Sequence, residues 1–138
     1  QDAYSRLARD AERERIPALK AKGMSLLPYF PLASGLLTGK YQADESAPAG
    51  TRMAAMKYLA NRYMTKENFE IVDKLKAFAA ARNHALLELA FGYLLSEQTV
   101  ASVIAGATKP EQIDANVAAA DCQLTPEEIA EVRKLTEK

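Results

Sequence analysis

This sequence has few of the residues on which several common functions depend. Its 138 residues include one cysteine, one histidine and no tryptophan. The single cysteine, Cys122, excludes an intrachain disulfide and is typical of a reducing compartment, so we expect a cytoplasmic protein. Lysine plus arginine and aspartate plus glutamate number 18 each, so the chain has no net positive charge to attract nucleic acid or an anionic membrane. We therefore expect neither of those partners.

Long apolar segments and metal-binding clusters are also missing. No apolar run reaches the ~18 residues of a membrane span, and no signal peptide follows Gln1. Because Gln1 is not an initiator methionine, we expect the chain to start at a truncation or a processing point. His84 lies at a predicted helix junction with no partner nearby in sequence and no ligand spacing. We predict a structural role for it, and therefore neither a catalytic residue nor a metal site.

The strongest local signal is a short apolar run followed by a turn of small residues. Met24–Tyr29 is bounded by Gly23 and Pro31, which predicts a strand buried on both faces. The turn that follows leaves backbone N–H groups pointing outward near Lys40, an arrangement that suits an anion such as phosphate. A plain strand-to-loop connection with turning glycines is the alternative interpretation.

A second run of the same kind lies near the end of the chain. Val100–Ala105 is a short β-branched segment, and Thr108 is the predicted cap of the helix that follows it. Lys109 adds a positive charge beside that helix N-terminus, where anions bind. Gln112 and Asn116 are four residues apart, so both can face one ligand, or they are simply surface polar residues.

Helices are predicted between and around these two runs. They cover Ala8–Lys22 with a stop at Gly23, a short helix within Met53–Tyr63, Thr65–Arg82, the apolar stretch Ala85–Ser96, and a tail capped by Thr125. Gln1–Leu7 has no helical periodicity and is predicted to be a loop. The alternation of strands and helices favours an α/β fold, a (β/α) barrel, as one domain over residues 1–138. A Rossmann site is not indicated, since no G-x-G-x-x-G opens a helix.

Three stretches together resemble one family. Residues 29–41, Y-F-P-L-A-S-G-L-L-T-G-K-Y, resemble the Y-S-P-L-A-x-G-x-L-T-G-K-Y stretch of aldo-keto reductases. Ile104–Val117 resembles that family's I-x-G-x-x-x-x-x-Q-x-x-x-N nucleotide motif, and residues 85–95 are similar to its helix A-Q-L-A-L-A-W-L-L. The resemblance implies the C-terminal half of a (β/α)8 TIM barrel with parallel strands. The family's Asp, Tyr, Lys and His tetrad would lie upstream.

The resemblance also implies a role for individual residues. Gln1 would hold the nicotinamide carboxamide, although a frayed terminus is the alternative, and Tyr29 would stack on the nicotinamide ring. The turn residues Leu32, Ala33 and Ser34, with Lys40, would hold the pyrophosphate, and Phe30 and Pro31 of the same turn would also contact the cofactor. In the branch that includes the potassium-channel beta subunits, a loop arginine folds over the cofactor, and Arg52 matches it unless it is only solvated. The adenosine end would be held by Gly106, Thr108, Lys109, Gln112 and Asn116.

The implied function is reduction of small aldehydes or ketones with NADP(H), with NAD not excluded. Departures from the family pattern at Phe30, Gln112 and Ala115 leave the phosphate preference open. The alternative is a non-catalytic half-barrel, a nucleotide-binding or protein-interaction module like the potassium-channel beta subunits. In either case we expect the apolar strands to require the missing N-terminal half or self-association, and the chain alone to be neither a monomer nor an active reductase.

Overall fold

The computed structural model of the chain describes residues 1–137. In chain order its elements are β1 (Asp2–Ala3), a 3₁₀ helix (Asp10–Glu12), α1 (Arg15–Ala21), β2 (Pro28–Tyr29), a second 3₁₀ helix (Ala33–Thr38), α2 (Arg52–Ala55), α3 (Lys57–Tyr63), α4 (Lys66–Ala80), α5 (Leu86–Leu95), α6 (Pro110–Ala120) and α7 (Pro126–Leu135). Among these described helices, none combines the length and apolarity needed to cross a membrane.

Three extended segments lie side by side and parallel. In the pairing of β1 with β2, Ala3 lies opposite Tyr29. Tyr29 also forms a parallel bridge with Ile104, so residues 100–104 must lie along the other side of β2. Parallel strands joined through helices are the (β/α) arrangement, and the chain forms part of such a barrel. The prediction of a loop over residues 1–7 is wrong at Asp2–Ala3, because strand pairing with β2 is a long-range contact.

Neither strand run is buried along its whole length. Leu26 is 2% exposed, whereas Met24 and Tyr29 are 59% and 37% exposed. Along the third segment Val100 is 8% exposed and Ile104 is 42% exposed. The prediction that both runs are buried on both faces is therefore wrong. Met24 and Leu26 share one face of their strand, as do Val100 and Ile104, because alternate side chains of a strand point the same way. Exposure therefore changes along the length of each strand, and the described elements cover only part of that length.

The predicted helix over residues 8–22 is divided in two. A 3₁₀ helix ends at Glu12 and α1 begins at Arg15. Pro17 lies in the first turn of α1, where the missing N–H costs no hydrogen bond. Gly23 ends α1 with φ of 63°, and its N–H donates to the Lys20 carbonyl, which confirms the predicted stop.

The longer helices confirm the caps and the burial predicted from the sequence. Thr65 caps α4 by accepting a hydrogen bond from the Asn68 N–H, and Thr125 caps α7 in the same way. α5 is buried on most sides, as its apolar sequence predicts. Ala85 has no side chain able to cap α5, but the Glu88 carboxylate accepts the Ala85 N–H at 2.8 Å. The weak start is thereby compensated.

A buried polar cluster joins the start of the chain to its last helix. Arg6 is 1% exposed, and its guanidinium carbon lies 3.6 Å from the centroid of the Tyr93 ring. Its Nη1 lies 3.2 Å from Glu12 Oε1, and its Nη2 bonds the hydroxyl of Thr136. The Arg9 guanidinium donates to the Thr136 carbonyl, where a cation stabilises the C-terminus of α7.

Candidate functional site

Two loops emerge at the same edge of the sheet. Because Tyr29 is bridged to Ile104, the carboxyl ends of β2 and of the third segment are adjacent. The residues that follow each end, 30–38 and 105–109, therefore begin side by side. This is the edge at which (β/α) barrels bind ligands.

The first loop is held in an unusual backbone conformation. Phe30, Ala33 and Ser34 have φ of 54°, 46° and 57°, in the left-handed region that residues with a Cβ seldom occupy. The rings of Tyr29 and Phe30 meet edge to face, with centroids 5.4 Å apart. Backbone strain of this kind is typical of ligand-binding turns.

Ser34 has an unsatisfied hydroxyl inside this turn. The residue is 7% exposed, and its Oγ has no hydrogen-bond partner within residues 1–137. Buried polar atoms are nearly always paired, so an unpaired one requires an explanation. A bound polar group would satisfy it, which fits the predicted role of Ser34.

The side chain of Lys40 folds back over Gly35 in the turn that follows β2. A Cβ built on Gly35 would lie 3.1 Å from Lys40 Cε and 3.2 Å from its Nζ, so the lysine packs closely over the glycine. Its Nζ also lies 5.3 Å from the centroid of the Tyr41 ring. The structure thus brings the predicted lysine and the predicted turn together.

Arg52 connects the first loop region to the second. It is the first residue of α2, whose N-cap Thr51 accepts a hydrogen bond from the Ala54 N–H. A Cβ on Gly106 would lie 3.8 Å from Arg52 Nη2, so the guanidinium lies beside the second loop. Two residues predicted from separate stretches, Arg52 and Gly106, are neighbours. A planar guanidinium here can donate two parallel hydrogen bonds to a phosphate.

The second loop corrects one prediction. Lys109, not Thr108, is the N-cap of α6, and no side chain caps the helix there. The Thr108 N–H instead donates to Gln112 Oε1 at 2.7 Å, because a glutamine in the first turn reaches back to the preceding residue. Lys109 and Gln112 are exposed and Asn116 is half-buried. The N-terminus of α6 therefore lies beside an exposed lysine, while Pro110 has no N–H and the Gln112 N–H already donates to the Lys109 carbonyl.

Gln1 lies apart from these loops. It is exposed and directly precedes β1, and Ala3 is the residue paired with Tyr29. By register Gln1 lies two residues before the level of Tyr29. Its nicotinamide contact stays a prediction.

Tyr63 belongs to the same region and was missed in the sequence. It is 3% exposed, and within the described residues its hydroxyl has no hydrogen-bond partner. Burial raises the pKa of the Tyr63 phenol, Arg62 lowers it, and nearby Tyr29 raises it further. The available signal was the i, i+4 spacing of Leu59 and Tyr63 on the buried side of α3.

His84 has partners that the sequence did not reveal. Its Nδ1 lies 3.4 Å from Glu88 Oε2 and 3.8 Å from Cys122 Sγ. Burial, followed by the charges of Glu88 and Glu128, raises the pKa of the Cys122 thiol. No group of three possible metal ligands occurs within residues 1–137.

The fold is a partial (β/α) barrel in which the two predicted binding loops lie at one edge of the sheet. A sequence model described as the Aldo/keto reductase family matches residues 1–137, and the chain belongs to that family. The family and fold expected from the sequence are thus confirmed.

The most informative relatives are similar along nearly the whole of this chain. A probable voltage-gated potassium channel subunit beta from Oryza sativa subsp. japonica is 37% identical, covering 99% of this chain and 43% of that protein. An NADH-specific methylglyoxal reductase from Escherichia coli (strain K12) is 31% identical, covering 99% and 41%. The apo structure of the aldo-keto reductase AKR11C1 from Bacillus halodurans is 29% identical, with a TM-score of 0.72 over 98% and 42%. This chain spans less than half the length of each.

Proposed function

We propose that this chain supplies the dinucleotide-binding part of an aldo-keto reductase that reduces aldehydes or ketones with NADP(H). The observation that carries the proposal is the convergence of Arg52 on Gly106 and of Lys40 on Gly35 at one edge of the sheet. These two cations beside two glycine-containing loops support the proposal, since barrels bind phosphate groups at this edge.

Each residue has a binding or orienting task in this proposal. A bound dinucleotide would supply the hydride for carbonyl reduction. The half-exposed ring of Tyr29 offers a flat surface for stacking, and Arg52 with Lys40 would neutralise the pyrophosphate. Lys109 at the N-terminus of α6 would hold the phosphate of the adenosine end. The proton required for carbonyl reduction would come from the family's upstream tetrad.

A second candidate function is a nucleotide-binding interaction module without catalysis. It is supported by relatives from Oryza sativa and Arabidopsis thaliana, 37% and 38% identical, both named probable voltage-gated potassium channel subunit beta. Both candidates require the same binding edge. They differ in whether the bound dinucleotide is oxidised by a carbonyl compound.

Calorimetric titration of the chain with NADPH tests the shared part of the proposal. We expect binding, and we expect Arg52→Ala to weaken it about tenfold or more, since a charge-assisted hydrogen bond contributes ~1.5–3 kcal/mol. Arg13→Ala is a matched control, because Arg13 is also exposed but lies near Arg6 and Arg9. No NADPH binding, or equal losses in the two variants, would exclude the site.

A second measurement separates the enzyme from the module. With the upstream part of the barrel present, NADPH oxidation is followed at saturating methylglyoxal, a simple carbonyl probe. Aldehyde-dependent oxidation supports the reductase. Tight NADPH binding with no turnover across several aldehydes and ketones supports the interaction module.

A further inference from the structure

One side of α3 is a basic, aromatic surface, which we call the basic face. Its residues are Lys57, Tyr58, Asn61 and Arg62, all exposed, and they span about 140° of the helix circumference. Leu59 and Tyr63 lie on the opposite, buried side. Tyr58 is 66% exposed, and its hydroxyl lies 3.8 Å from the sulfur of Met56, itself 43% exposed. The basic face therefore presents apolar area together with charge.

The two cations of the basic face have no carboxylate partner in the described part of the chain. Neither Lys57 nor Arg62 forms a salt bridge there, and no acidic residue occurs between Glu45 and Glu67. The guanidinium of Arg62 lies 5.3 Å from the centroid of the Tyr63 ring, so it stays close to the helix. An external carboxylate would meet an unneutralised charge at this surface.

A cavity of opposite character lies next to the basic face. This acidic cavity has a volume of about 460 Å³ and is lined by Ala43, Asp44, Glu45, Met64, Lys66, Phe69, Glu70 and Asp73. Four carboxylates and one lysine leave it with a formal charge of −3. Met64 and Phe69 supply apolar surface within it. Met64 directly follows α3, so the acidic cavity begins where the helix that carries the basic face ends.

We propose that these two surfaces bind a second copy of the chain. Because they adjoin at the end of α3 and are opposite in charge, a two-fold rotation can place the basic face of each copy over the acidic cavity of the other. The same contact then forms twice, which is the self-complementary requirement of a symmetric dimer. Tyr58 and Met56 of one copy would pack against Met64 and Phe69 of the second.

Several features favour a second copy over a partner of a single charge sign. The chain carries no net charge, and its excess of cations on α3 is matched by an excess of carboxylates in the neighbouring cavity. A polyanion would be repelled by the cavity, and a basic partner by α3. This interface is also separate from the third extended segment and α6, where Ile104, Ile113 and Val117 are exposed.

Charge reversal tests the pairing directly. Sedimentation equilibrium of the whole chain measures the dimer dissociation constant for wild type, Lys57→Glu/Arg62→Glu, and Glu45→Lys/Glu70→Lys. We expect each double variant to dimerise about tenfold more weakly or worse, since like charges then face each other twice. The quadruple variant should recover most of the wild-type affinity. Raising the salt concentration to 0.5 M should weaken the wild-type dimer.

Two controls keep the result interpretable. Lys22→Glu/Lys134→Glu reverses two exposed lysines elsewhere and should leave dimerisation unchanged. Ile113→Glu/Val117→Glu tests association through α6, and circular dichroism checks that each variant is folded. A wild-type monomer at all concentrations would overturn the proposal. So would failure of the quadruple variant to recover, or a dimer that only the α6 variant disrupts.

Discussion

Glu12 is the shared acceptor of the buried cluster, and its removal gives the sharpest test of how this chain is stabilised. Its carboxylate accepts hydrogen bonds from the Tyr4 hydroxyl at 2.9 Å, from Arg6 Nη1 at 3.2 Å and from Arg9 Nη2 at 2.8 Å. The Tyr93 hydroxyl lies 3.4 Å from the same group. Glu12→Ala removes all of these at once.

The size of the effect follows from the burial of Arg6. This side chain is 1% exposed, so it cannot turn to water when its carboxylate partner is lost. Breaking a buried ion pair costs ~3–5 kcal/mol, because the remaining charge is left uncompensated. The Thr136 hydroxyl and the Tyr93 ring still contact Arg6, so we expect a loss near the lower limit, ~3 kcal/mol.

Urea unfolding followed by circular dichroism at pH 7 measures this loss. In a thermal melt the same change corresponds to a fall in Tm of roughly 10 °C for a chain of this size. Glu14→Ala is the matched control, because Glu14 is exposed and makes no capping hydrogen bond at the start of α1. Equal, small losses for the two variants would refute the assigned role of the Arg6–Glu12 pair.

The same cluster predicts how stability depends on pH. Burial alone would raise the pKa of Glu12, but the hydrogen bonds from Arg9 and Tyr4 and the charges of Arg9 and Arg6 together lower it. Its stabilisation is therefore complete above the ordinary glutamate pKa of about 4.3, and is lost as the pH falls through the lower folded-state value. Glu12→Gln should flatten this acid limb. Glu97, whose pKa is also lowered, should retain its own contribution.

Three further predictions concern single positions or the whole chain. Lys109→Ala should weaken NADPH binding roughly tenfold to a hundredfold and NADH binding much less. Calorimetry measures both affinities, with Lys74→Ala as the control. Equal losses of NADPH and NADH affinity would remove the phosphate assignment. The purified chain alone should not catalyse the reduction of an aldehyde by NADPH. Measurable turnover in a preparation free of host reductases would contradict this. Gly92→Ala should lower stability by ~1–3 kcal/mol in urea, since its Cβ would lie 2.9 Å from the Cys122 carbonyl oxygen; an unchanged midpoint would show that this contact relaxes freely.

Local sequence signals were sufficient to predict most of the helices. The caps at Thr65 and Thr125, the stop at Gly23 and the apolar run of α5 all appear where predicted. These signals act within one or two turns, because a cap or a left-handed glycine depends on its immediate neighbours. The family stretches likewise identified the barrel, and the two loops they predicted lie at one edge of the sheet.

Contacts between distant residues decided the rest. β1 exists because Asp2 and Ala3 pair with β2, and Met24 is exposed because no described helix covers it. The approach of Arg52 to Gly106 joins positions 54 residues apart, a spacing at which sequence carries no geometric information. Periodicity shows that a side chain faces inward or outward. Which residue it then meets is set by how the elements pack, and that is why Tyr63 and the Glu12 cluster emerged only in the tertiary structure.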